Sequence, residues 1–239
     1  MKPTPKPDLA PLLAFGAHPD DIEFGAGGIV AKETHCGRPV HFVVCSRGEA
    51  GTHGTPAIRT REAKQAAKIL GATIEFLELD GDAHLELKVA HALKLAAIIR
   101  RVKPGIVLAP TLEPNQHPDH WRLGQLVRDA TRLASYGGLK ELRALKPRAI
   151  GALFFYAISP GSEPRGVEPV LIDISAPGIM AAWIAAMEAH ASQKQTHDYV
   201  GLQLARARAY GVGQVQPLWP NDLLVFDSLA PLAHGARRF

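Results

Sequence analysis

Short apolar runs alternate with segments of helical spacing along this chain of 239 residues, and that alternation constrains its fold more than any other feature. Residues 12–17, 40–45, 73–79 and 106–109 read as strands rich in Val, Ile, Leu and Phe. Between them, residues 25–37 read as a helix. Ala63, Ala66, Ala67 and Leu70 recur at i, i+3, i+4 and i+7, so they share one helical face, and Gly71 supplies the stop. Leu95, Ile98, Ile99 and Val102 repeat the spacing before Pro104-Gly105 breaks it. Further on, 122–133 and 181–191 read as helices, 151–158 and 170–174 as strands, 161–169 as a loop and 223–226 as an edge strand. Alternation of this kind predicts an α/β fold with a mainly parallel sheet.

With 46% hydrophobic residues the chain can bury a substantial core. A single domain over 1–239 is expected, with a flexible proline-rich segment at 1–11. That segment lacks the charged start and apolar stretch of a secretory signal. No apolar run approaches the roughly 18 residues of a membrane span, so a soluble, cytoplasmic protein without a membrane partner is expected. Two cysteines, Cys36 and Cys45, form no disulfide framework and read as buried thiols. A net charge of +4 permits an anionic substrate. The basic residues are scattered, however, with no basic stripe, so no nucleic-acid partner is expected.

Two polar clusters stand directly after predicted strands: His18-Pro19-Asp20-Asp21 and His117-Pro118-Asp119-His120. In open α/β sheets ligands gather at the carboxyl ends of strands, so the clusters are expected to converge. His18, Asp21 and His120 then offer two imidazoles and a carboxylate, a set suited to catalytic zinc and equally to Fe(II). Asp20 remains free beside the ligands and reads as a general base. His117 is placed to stabilise an oxyanion or protonate a leaving amine, with Asp119 to orient it. Gly25-Ala26-Gly27-Gly28 reads as a helix start where free N–H groups could attract an anion, but it lacks dinucleotide-binding spacing, and tight packing of helix against strand is the better explanation. Asp82 reads either as a crevice residue or as an exposed turn. His53 falls in a polar loop, 48–54, that reads as a lid, while His190 and His197 show no ligand spacing.

The residues Phe15 to Asp21 with Gly25 to Gly28, and His117 to His120, resemble the PIG-L/LmbE-type zinc-dependent N-acetylglucosamine deacetylases. The resemblance extends through Ser46-Arg47-Gly48-Glu49, Gly54-Thr55 with Arg59, residues 170–175 and Ser192-Gln193. Within the family the likeness is nearest to the deacetylases of bacillithiol biosynthesis. It implies a Rossmann-like three-layer sandwich, zinc on His18, Asp21 and His120, Asp20 as base and His117 as stabiliser or acid, with Asp119 its partner. It also implies Arg59 as a substrate-binding group, since the bacillithiol precursor carries a malate and a guanidinium pairs bidentately with carboxylate. Asn115 and Gln116 stand where the mycothiol-precursor enzymes have a tyrosine, and Tyr210 is the replacement considered.

The expected activity is hydrolysis of an N-acetylglucosamine-type amide, N-acetylglucosaminyl malate included, to free amine and acetate. Two alternatives stand beside it: an amidase acting on a larger thiol or sugar conjugate, and a nonenzymatic protein binding a sugar nucleotide or anion at Gly25 to Gly28. The partner is a small N-acetylated amino sugar, and by analogy the chain forms homo-oligomers.

Overall fold

Every residue of the first strand, β1 (Leu12–Gly16), is buried, because helices cover both faces of the sheet it belongs to. Leu12 and Ala14 enter one apolar layer and Leu13 and Phe15 the other, as the two-residue period of a strand requires. The computed structural model describes residues 9–195 and 197–228. After β1 come α1 (Asp21–His35), β2 (Val40–Val44), α2 (Pro56–Ile69) and β3 (Thr73–Phe76). A loop and α3 (Val89–Val102) lead to β4 (Ile106–Pro110), α4 (Pro118–Ser135) and β5 (Ala152–Tyr156). The chain continues through β6 (Val170–Asp173), α5 (Pro177–Glu188), a 3-10 turn at Ala191–Lys194, α6 (Tyr199–Arg208) and β7 (Val215–Pro220).

The strands lie in the order β3-β2-β1-β4-β5-β7-β6. The first five in that order pair in parallel, whereas β7 runs antiparallel to both β5 and β6. Residues of α1, α2, α5 and α6 fill the layer on one face, around Phe42 and Trp183. Residues of α3 and α4 fill the other, around Phe15 and Leu95. This is the α/β fold with a mainly parallel sheet that the alternating pattern predicts, and the three-layer sandwich that the resemblance implies. Arg100 on α3 is buried, and its guanidinium donates to the carbonyls of Leu133, Ala134, Tyr136, Leu142 and Leu145. It thereby satisfies the end of α4, whose last carbonyls lack partners within the helix.

Several expectations are corrected. α1 begins at Asp21, four residues before the expected start, so Gly25 to Gly28 lie inside a buried helix rather than at an anion-attracting end. Their reason is packing: a Cβ on Gly25 would stand 2.2 Å from the Tyr156 ring, one on Gly27 2.7 Å from Trp183, and one on Gly28 2.7 Å from Ile174. The expected strand at 223–226 is an exposed coil with no partner strand among the described residues. The strand in that region is β7, hidden in the sequence by Pro217 and Pro220. α6 escaped the pattern reading, and β3 ends at Phe76, short of the expected 79. Cys45 is buried as expected, but Cys36 caps the end of α1 and is exposed. Of the segment 1–11 expected to be flexible, residues 1–8 lie outside the described residues. Among the described residues no helix is long and apolar enough to cross a membrane.

Candidate metal centre and active site

The turn after β1 carries His18, Asp20 and Asp21, and the turn after β4 carries His117, with Asp119 and His120 in the first turn of α4. β1 and β4 are parallel neighbours, and the strand order reverses between them, since β2 and β3 extend to the other side of β1. Both clusters therefore leave the same sheet edge at a topological switch point, where α/β sheets form their ligand crevices.

Local structure aims each side chain. Asp21 sits in the first turn of α1 and its Oδ2 accepts from the backbone N–H of Ala17 (2.8 Å) and His18 (2.9 Å), which holds the turn tight. Asp20 precedes the helix with φ 122°, a region that residues with side chains rarely adopt, at a cost of about 1–3 kcal/mol. Its carboxylate makes no cap and instead faces Arg59, whose Nη2 is 3.3 Å away. Arg59 is placed by the start of α2, where Thr55 Oγ1 accepts from the Ile58 N–H and Pro56 fixes the first turn. Buried, it also donates to the carbonyls of Pro19 (3.1 Å) and Gly48 (3.3 Å).

The expected ligand atoms converge. His18 Nδ1 lies 3.2 Å from His120 Nε2, which lies 3.1 Å from Asp21 Oδ1, and Asp21 Oδ2 is 3.8 Å from His18 Nδ1. Donors bound at roughly 2.0–2.1 Å to one tetrahedral ion stand about 3.3–3.4 Å apart, a spacing that two of these three distances approach. The far side of the ring points the same way: His18 Nε2 lies 3.0 Å from Asp82 Oδ1 and 3.2 Å from Asp119 Oδ2. With the ring proton held there, Nδ1 is a lone-pair donor facing a second imidazole nitrogen. His117 also offers a nitrogen, within 4.8 Å of those of His18 and His120.

The electrostatics agree with a site that calls for positive charge. Burial would lower the His18 pKa, yet hydrogen bonds that the ring donates to Asp119, Asp21 and Asp82 raise it well above the ordinary 6.5. Burial would raise Asp21, but His120 and His18 hold it well below the usual carboxylate range. Burial lifts Asp20 from 3.8 to about 6, against the opposing pull of Arg59. The His117 imidazole is pushed below 6.5 by burial and by its neighbours His18 and His120.

Two expected placements change. The Asp119 carboxylate turns towards His18 and accepts from the backbone N–H of Ala83 (2.7 Å) and Leu85 (3.3 Å). What touches His117 is the Asp119 backbone N–H, which donates to Nδ1 at 3.2 Å. Nδ1 is thus unprotonated and Nε2 carries the hydrogen. Asp82 is buried rather than an exposed turn, because the loop after β3 folds over the crevice and the Ala50 N–H donates to its Oδ2. Its signal in the sequence was slight: Asp80-Gly81-Asp82-Ala83, three of whose residues take left-handed backbone at φ 58°, 88° and 66°. Tyr210 lines a separate small cavity beside Arg206, away from the two clusters.

Above the clusters opens a cavity of about 370 Å³ that contacts His18, Asp20, Asp21, Arg59, Asp82, His117 and His120. Phe24, Ile158, Tyr199 and Leu202 give it one apolar wall that sequence reading missed, since it forms only when α6 packs near α1.

The family described as PIG-L, GlcNAc-PI de-N-acetylase, matches residues 13–131, and the chain belongs to this family. It is 30% identical over 200 residues to the diacetylchitobiose deacetylase of Thermococcus kodakarensis, covering 78% of this chain and 71% of that protein. It is equally 30% identical over 239 residues to the 4-oxalmesaconate hydratase of Pseudomonas putida, covering 87% and 89%. A probable N-acetyl-alpha-D-glucosaminyl L-malate deacetylase 2 of Bacillus cereus is 32% identical over 137 residues, 51% of this chain and 61% of that one. Among solved structures, a conserved protein from Thermus thermophilus superposes with a TM-score of 0.80 at 32% identity, covering 91% of this chain and 97% of that one.

Proposed function

We propose that the chain is a metal-dependent hydrolase that removes acetyl from an N-acetylglucosamine-type substrate. The observation that carries this reading is the convergence of His18 Nδ1, the Asp21 carboxylate and His120 Nε2, with the Asp20 carboxylate beside them paired to Arg59. Those three residues would hold the cation, zinc or Fe(II), which supplies Lewis acidity to polarise the amide carbonyl and acidify a water. Asp20, with its carboxyl raised to about 6, accepts the proton of the attacking water and returns it to the amine nitrogen as the C–N bond breaks. Arg59 braces Asp20 and forms part of the cavity wall that the substrate would meet.

His117 acts through its Nε2–H. The Asp119 N–H on Nδ1 fixes that tautomer, so His117 donates a neutral hydrogen bond to the carbonyl oxygen as charge develops there. Asp119 and Asp82 hold the His18 ring proton, which keeps Nδ1 pointed at the ligand position. The binding-protein alternative loses its site, because Gly25 to Gly28 are enclosed within α1.

A second reading is hydration of a carboxylated alkene, favoured by the near full-length similarity to the Pseudomonas putida hydratase. The two reactions share a base and an activated water and differ in the bond attacked. The test is acetate release from N-acetylglucosamine, N,N'-diacetylchitobiose and N-acetylglucosaminyl malate, with zinc, with Fe(II) and after chelation, beside loss of 4-oxalmesaconate. Metal-dependent acetate release is expected; consumption of the alkene with no acetate would overturn the deacetylase in favour of the hydratase.

A further inference from the structure

Beyond the cavity over the metal centre lies a second concavity of about 300 Å³, lined by Thr52, His53, Gln193, His197 and Tyr199. The two share Thr52, Gln193 and Tyr199, so they adjoin. Tyr199 stands at the junction, its ring in edge contact with Phe24 on the inner side (5.9 Å) and with His197 on the outer side (5.6 Å).

The outer cavity is built rather than accidental. Glu62 on α2 accepts from the N–H and hydroxyl of Ser192, and Gln193 Nε2 donates to Ser192 Oγ and to the His53 carbonyl. This chain of bonds clamps the 48–54 loop against the turn before α6. Gly54 lets the loop seat there, since a Cβ on it would stand 2.7 Å from Ser192 Oγ. Among the described residues, the Thr52 hydroxyl, the His53 and His197 imidazoles and the Tyr199 hydroxyl make no hydrogen bond within the protein. Four polar ends and two aromatic faces thus line one hollow.

We infer that this hollow is the subsite for the group attached to the reacting amino sugar, and that it takes a neutral, hydroxyl-bearing ring. The inference rests on the deacetylase reading and extends it to substrate class. Hydroxyl, amide and imidazole groups match ring hydroxyls as donors and acceptors, and the Tyr199 and His197 rings offer apolar faces to ring C–H groups. A dicarboxylate would require fixed cations. Among the described residues no lysine or arginine lines the hollow: Lys194 pairs with Glu188, and Arg59 lies in the inner cavity against Asp20. Asp198 is engaged in capping α6 through the Gly201 N–H.

The experiment compares the full chain with the His53→Ala/His197→Ala double variant and with Tyr199→Phe. Two quantities are read for N,N'-diacetylchitobiose, N-acetylglucosamine and N-acetylglucosaminyl malate: kcat/KM for acetate release, and calorimetric affinity in an Asp20→Asn background where the ligand survives. The expected result is a preference of about tenfold or more for the disaccharide over the monosaccharide, lost in the double variant while release from N-acetylglucosamine stays unchanged. Equal values for disaccharide and monosaccharide in the parent chain overturn the subsite, as does a preference that survives the double variant. A preference for the malate conjugate over the disaccharide overturns the neutral-ring assignment. If no substrate releases acetate, the deacetylase reading fails, and the affinities still decide the subsite: disaccharide binding that depends on His53 and His197 retains it, and indifference removes it.

Discussion

Asp20 and His120 contact the same few ångströms of space, yet their loss should have opposite signatures. Asp20→Asn keeps the shape of the carboxylate and removes its basicity, so turnover should fall by about 10²–10⁴-fold, the usual worth of a general base, while bound metal stays near one per chain. His120→Ala removes a corner of the triangle and should lose metal itself. Metal analysis beside acetate release separates the two, and undiminished turnover in Asp20→Asn would remove it as the base. This much of the site was legible in the sequence because each cluster is contiguous and follows a strand, so sheet geometry alone brings them together. Asp82 was not legible in the same way. Its position depends on how the loop after β3 folds back across two strands, and no local spacing records that. The turning of Asp119 towards His18 was equally hidden, since a residue's neighbours in sequence do not say which of two nearby imidazoles its carboxylate meets.

At the scale of elements, the tightest joint is α1 against β5 and α5. Three of its glycines face Tyr156, Trp183 and Ile174, and Trp183 Nε1 donates to the Glu23 carbonyl at 2.8 Å, so the helix approaches nearer than any side chain would allow. Gly25→Ala gains about 1 kcal/mol of helix propensity but must displace a fully buried ring whose hydroxyl is bound to the Phe15 carbonyl (2.6 Å). Overpacking of this kind costs about 1–3 kcal/mol, and urea unfolding should show a net loss. A variant as stable as the parent would show that Tyr156 can yield. The five parallel strands and the helices between them were readable because both faces of that sheet are buried, which leaves near-continuous apolar runs. The antiparallel edge was not. β7 carries Pro217 and Pro220 and breaks the pattern, while residues 223–226 satisfy it and pair with no strand among the described residues.

The molecule as a whole joins a strained, charged crevice to a rigid sandwich, and its stability should report on both. Glu23 and His190 form a buried pair, Oε1 to Nε2 3.5 Å, between α1 and the end of α5. Burial would lower the His190 pKa, but the Glu23 carboxylate outweighs it and raises it above 6.5. A raised folded value means that the pair stabilises fully below about pH 6.5 and that this contribution is lost as pH rises through the folded value. The stability gap between the parent and His190→Gln should therefore be wider at about pH 6 than at about pH 9. The crevice sets the larger effect. Asp21, Asp82 and Asp119 crowd the His18 and His120 rings, and Asp20 holds an unfavourable backbone. A metal that binds only the folded chain adds about 2.7 kcal/mol at a concentration a hundredfold above its Kd. For a protein of this length that corresponds to a Tm shift of about 5–11 °C. Thermal unfolding before and after chelation should show that drop in the parent and in Asp20→Asn, and none in His120→Ala. An unchanged Tm in the parent would mean that the triangle does not hold a metal, and the deacetylase reading would fall with it.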